Sequence, residues 1–140
     1  MKKFLSLLLI VFMAQVAMAQ SNLTGKWHTF KKGKPQSTVE VYKGSDGLYY
    51  GKIVALADPA RKNATFEHDG PDKGKKLVGL VIIKKMKFED GALVGGTITD
   101  PENGKTYYAS MKINEKTKQL DLRGSIDKKG ILGRTEHWSR

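Results

Sequence analysis

The chain contains no cysteine and only four prolines, and after residue 20 it shows neither a long apolar run nor a helical repeat of apolar positions. Without cysteine there is no disulfide brace, no thiolate nucleophile, no cysteine ligand for a metal and no cysteine to carry a lipid anchor. The missing stretch of some 18 apolar residues removes a transmembrane helix from this region. The missing recurrence at three and four residues removes amphipathic helices as its main building block. Acid is also scarce, at 14 Asp and Glu against 25 Lys and Arg, for a net charge of +11.

What is present begins with a targeting pattern. Lys2 and Lys3 precede an apolar run from Phe4 to Met13, and Ala17, Met18 and Ala19 follow as small residues near a cleavage point. This predicts a secretory signal over residues 1–19, too short to stay in a bilayer, and export to the periplasm or the medium. Residues 20–140 are then one domain. Loss of Lys2 and Lys3 takes the net charge from +11 to +9. The lysines are scattered over many short segments, which suits a solvated surface and leaves anionic envelope components open as partners.

Short β-rich runs punctuated by Gly, Asp, Asn and Pro recur along the mature region. GKWHTF, STVEVYKG, LYYGKIVALA, LVGLVIIKKMKF, ALVGGTITD, KTYYASMKI, QLDLRGSI and LGRTEHWSR read as strands. About eight strands joined by short connections predict an all-β, antiparallel up-and-down β-barrel. The exception is residues 58–76, long and polar, expected to form an irregular flap over one end. Alternation sets Val39 and Val41 opposite Thr38, Glu40 and Tyr42, and it sets Leu120, Leu122 and Ile126 opposite Asp121, Arg123 and Ser125. Tyr107, Ala109, Met111 and Ile113 likewise share one face. Gly95 and Gly96 are expected to bend their strand.

Candidate chemistry is sparse. Asp100, Glu102 and Asn103 crowd into DPENG, yet Pro101, Asn103 and Gly104 supply what a hairpin turn needs, and the spacing does not match a calcium loop. His68, Asp69 and Asp72 read as a solvated loop before they read as metal ligands; no metal or cofactor is expected. No serine sits in a nucleophile-elbow pattern, and His28, His68 and His137 lack motif spacing, so no catalytic residue is assigned. A hydrolytic enzyme, built from Glu136 and a distant acid, is the minority reading. Tyr49, Tyr50, Tyr107 and Tyr108 with nearby lysines suggest a base-stacking surface, but export and strand count argue against nucleic acid.

The last run is unusual, since alternation places Leu132, Arg134, Glu136, Trp138 and Arg140 on one face. If that face points inward, Arg134 and Glu136 must pair with each other or meet a polar ligand. In a closed even-stranded meander the first and last strands are antiparallel. Trp27 is therefore expected near Trp138 and Arg140, as a structural cluster at the barrel end.

GKW at the mature start, VEVYKGSDGLYYGKIVAL, LVGLVII, GGTITDPENGKTYYASMKI, LDLRGSI and LGRTEHWSR together resemble the bacterial domain-of-unknown-function family 2147, over residues 24–140. The resemblance implies a lipocalin-like or calycin-like barrel, exported, without an assigned activity. GKW is also similar to the lipocalin opening motif, whose Trp packs at the barrel base against a basic residue of the last strand; Trp27 matches that Trp. The expected function is binding of a small, partly apolar or anionic ligand by Tyr107, Met111, Arg134, Glu136 and Trp138. The alternative is an envelope structural or interaction protein with a solid barrel and basic loops.

Overall fold

The strands form where β-branched and aromatic residues alternate with polar ones, and two of them, β1 and β4, stop directly at a residue with a left-handed backbone, Lys32 and Asp90. In the computed structural model, which describes residues 22–140, they are β1 (Gly25–Lys31), β2 (Lys34–Lys43), β3 (Tyr49–Leu56), β4 (Val81–Glu89), β5 (Ala92–Thr99), β6 (Thr106–Ile113), β7 (Leu120–Ser125) and β8 (Gly133–Trp138). They hydrogen-bond in sequence order as one eight-stranded antiparallel sheet, so the expected meander is correct. The expected signal at 1–19 lies outside the described residues.

The first hairpin is tighter than expected. Lys32 and Gly33 both take positive φ (50° and 76°), a two-residue turn whose twist matches its strands, and Lys31 pairs directly with Lys34. β2 therefore starts three residues before STVEVYKG. Asp90 and Gly91 make the equivalent turn between β4 and β5 (φ 52° and 79°). The bend expected at Gly95 and Gly96 is present as a register shift between Leu93 and Gly96. Gly96 is demanded by crowding, because a Cβ there would lie 2.3 Å from the Lys84 carbonyl oxygen and 2.4 Å from Met86 Sδ.

The inward faces meet in one core, with Trp27, Val39, Val41, Ile53, Ile83, Met86, Leu93, Met111, Leu120 and Trp138 buried. Tyr107, Ala109, Met111 and Ile113 are the more buried residues of β6, as alternation predicts. Two expectations need correction. Ile126 lies past the end of β7 and is 71% exposed, whereas Ser125 is buried, because the chain turns out of the sheet there. The 58–76 flap is also less irregular than its composition suggests. Thr65 bridges Lys76, Phe66 donates to the Lys75 carbonyl and accepts from the Gly74 amide, and Phe66 and Leu77 are buried under the loop.

Alternating strand direction puts the β1–β2, β3–β4, β5–β6 and β7–β8 connections at one end of the barrel, the mouth. The other end is plugged. Trp27 is fully buried there and its Nε1 donates to the Leu23 carbonyl at 3.1 Å. The Arg140 guanidinium lies 4.1 Å from the centre of the Trp27 ring and donates to the Thr24 and Asn22 carbonyls. The cylinder is nearly closed. β1 and β8 meet in one bridge, His28 with Ser139, held by backbone bonds of 2.6 and 3.1 Å. Beyond it toward the mouth β8 has no ladder to β1, which leaves a seam.

Candidate functional site

A cavity of about 1140 Å³ occupies the mouth end. Its floor is aliphatic and aromatic, made by Ile53 of β3, Ile82 of β4, Leu122 of β7, Trp138 of β8 and Leu77 of the long connection, all buried. Ile53, Leu122 and Trp138 are there because the pleat turns every second side chain inward, whereas Ile82 stands beside the equally buried Ile83 where the β3–β4 register shifts. Gly124 completes the β7 wall, and with no side chain it leaves room beside Tyr107 and Ile98.

The rim is polar and holds both signs of charge. Each carboxylate has a donor: Glu136 accepts from Trp138 Nε1 at 3.3 Å, Asp100 from the Glu102 amide at 2.8 Å, and Glu67 from the Thr65 hydroxyl. Glu102 accepts from Lys31 Nζ and from Gln36 Nε2 at 2.9 Å. That bond chiefly, against some desolvation, raises the Lys31 ammonium above its usual range and keeps it charged. The cations differ. Lys32, Arg61 and Arg134 line the cavity, and their side chains have no hydrogen-bond or ion-pair partner among the described residues. An apolar cup under free cations suits a molecule with an apolar body and an anionic head.

Three of the four mouth connections are clasped together. Glu102, at the tip of the β5–β6 turn, reaches Lys31 and Gln36 of the β1–β2 hairpin. His68 of the long connection bonds the Glu102 carbonyl at 2.7 Å, and a Cβ on Gly104 would lie 2.5 Å from the His68 ring. The β7–β8 connection stays outside this clasp: no side-chain hydrogen bond joins it to the other three among the described residues.

The residues singled out from sequence divide between two places. Tyr107, Arg134, Glu136 and Trp138 all line the cavity. Met111 does not; it is 1% exposed and packed in the core below, opposite Leu122 and Leu93. Of the two alternatives for Arg134 and Glu136, the mutual pair is absent, since Glu136 accepts from Trp138 Nε1, and both residues are exposed, not buried. In the barrel-end cluster, Arg140 covers Trp27, and the register carried by the His28–Ser139 bridge sets Trp138 opposite Thr29, one step toward the mouth on the same inward face, where it lines the cavity floor. The four tyrosines share no stacking surface, for Tyr49 is buried, Tyr107 faces in, and Tyr50 packs on Tyr42 at 6.0 Å.

DPENG is a turn. Asp100 Oδ1 accepts from the Glu102 amide, Asn103 Oδ1 from the Lys105 amide, and Gly104 takes φ 74°. The clasp made by Glu102 was not legible in the sequence, because its partners lie 71 and 66 residues away. Among the described residues, no three His, Asp or Glu side chains gather as a metal site.

A comparison with solved structures finds protein HP1028 from the human pathogen Helicobacter pylori, described as belonging to the lipocalin family. It is 27% identical with a TM-score of 0.72, over 84% of this chain and 82% of that one. No curated protein matches the sequence. The family described as "Uncharacterized protein conserved in bacteria (DUF2147)" matches residues 25–140; the chain therefore belongs to DUF2147, and its eight strands form a lipocalin-like β-barrel.

Proposed function

We propose that this protein is a carrier of the bacterial cell envelope that holds one amphipathic molecule in its mouth cavity, with an aliphatic or aromatic body on the floor and a carboxylate or phosphate at the rim. The observation that carries the reading is Arg134, a guanidinium on the cavity wall with no partner of its own above a buried apolar floor. Eight-stranded barrels either fill with side chains or keep space for one small ligand, and this one keeps the space. A family with a lipocalin-like neighbour supports the same direction. The envelope location rests on the charged, apolar and small-residue pattern at 1–19.

The test is titration with a fluorescent fatty acid and its uncharged methyl ester. Wild-type protein is expected to saturate with both and to prefer the acid. Arg134→Gln should lower affinity for the acid by about tenfold, the weight of one charge-assisted hydrogen bond, and leave the ester nearly unchanged. Absence of saturable binding by either probe would end the carrier reading; equal losses for both would end the role of Arg134.

A further inference from the structure

Three of the four large apolar side chains exposed among the described residues sit on one connection: Ile126 (71%), Ile131 (71%) and Leu132 (62%), all between β7 and β8. The fourth, Tyr108, is on the outer face of β6. Scattered exposed aliphatics are ordinary; three at one tip are not. The connection is also held rigid. Asp127 accepts from the Ile131 and Leu132 amides at 2.9 and 2.7 Å, and Ile126 donates to the Leu132 carbonyl at 3.0 Å. Arg123 donates to the Gly130 and Ile131 carbonyls at 2.6 and 3.1 Å. These bonds present the aliphatic side chains to water in a set geometry, where a loose loop could have folded them back.

Between them stand Lys128 and Lys129, and across the seam Lys32 and Lys34 of the β1–β2 hairpin. All four are exposed, and none makes an ion pair with a described residue. We propose that the β7–β8 tip, with these lysines, docks the barrel onto an anionic lipid surface, the aliphatic side chains entering the acyl boundary and the ammonium groups meeting phosphates. A single apolar anchor binds membranes marginally, and an added polybasic patch makes binding stable; both signals are combined here. A second copy of the chain fits less well, because three aliphatic side chains offer far less than the roughly 1,000 Å² that a stable protein interface buries. The clasp leaves this side of the mouth free, and Ile126 and Leu132 also line the cavity, so docking would set the opening against the lipid.

The experiment is co-sedimentation of the mature protein with vesicles of phosphatidylcholine alone or mixed with phosphatidylglycerol. Binding to the mixed vesicles is expected, weakened at high salt. Ile131→Asp with Leu132→Asp, and separately Lys128→Glu with Lys129→Glu, should each reduce it at least tenfold, while Tyr108→Ser should not. Because the chain has no native cysteine, Ile131→Cys carrying an environment-sensitive dye reports insertion directly, as a blue shift on adding mixed vesicles. No association with either vesicle, no blue shift, or unchanged binding by both tip variants would overturn the proposal. So would loss of a wild-type dimer in the tip variants without vesicle binding, which would assign the tip to a second copy. Vesicle binding needs no ligand in the cavity, so this result stands apart from the fatty-acid titration.

Discussion

Arg140 has three jobs for one guanidinium: it stacks over Trp27 at 4.1 Å, donates to Thr24, and donates to Asn22. Stacking on an indole at a partly solvated site contributes about 0.5–1 kcal/mol, and the hydrogen bonds add a similar amount. Arg140→Ala is therefore expected to lower the melting temperature by about 4–8 °C, and Arg140→Lys to recover only part of it, since an ammonium lacks the planar fork. An unchanged melt for Arg140→Ala would show that the plug closes without it. Trp27 and Arg140 were legible as partners because strand count and direction alone place the two chain ends together. Met111 was misassigned to the ligand wall for an equally physical reason. Alternation tells which face a residue is on, but not how far along the barrel axis the packed core gives way to the cavity.

At the scale of elements, the hairpins divide into those whose turns carry a positive-φ pair and those built on side-chain caps. Lys32–Gly33 and Asp90–Gly91 belong to the first kind. The β7–β8 connection belongs to the second and depends on Asp127, whose carboxyl is held below the usual aspartate range chiefly by the amide bonds from Ile131 and Leu132. The depressed value sets the sign: this contribution is fully present above the ordinary value near 3.8 and is lost as pH falls through the folded one. Asp46, held down chiefly by the Tyr50 hydroxyl, and Asp72, held down chiefly by Lys75, act in the same direction. Melting temperature should therefore fall as the pH is taken from about 5 to about 2, and Asp127→Asn should flatten part of that fall while lowering stability at neutral pH. A variant as acid-sensitive as wild type would remove Asp127 from the account. The strands and most turn positions could be read locally, whereas β4 began later than LVGLVII suggested. Leu77 and Leu80 are buried in the connection before it, and burial without alternation looks like a strand when only residue types are visible.

For the whole molecule, the decisive feature is that the eight staves do not fill their interior. At Gly124 a Cβ would meet Tyr107 and Ile98 at 3.7 and 3.8 Å, ordinary contact distance, so a side chain there is accommodated and would extend into the cavity that Gly124 lines. Gly124→Val is expected to weaken probe binding while changing the melting temperature by only a few degrees, because a side chain that extends into the open cavity removes no packed contact. Retention of full binding by this variant would place the ligand elsewhere. The amino-acid sequence by itself determined the strand number, their antiparallel order, the inward faces, the DPENG turn and the plug at Trp27, because each follows from alternation, turn chemistry or chain direction, all local or topological. Only the tertiary structure decided where the cavity lies, that Glu102 clasps three mouth connections, that Arg134 stands without Glu136, and that Ile126, Ile131 and Leu132 gather on one exposed tip. Those depend on barrel curvature, on the seam between β1 and β8, and on contacts between residues distant in the chain, none of which a local pattern encodes.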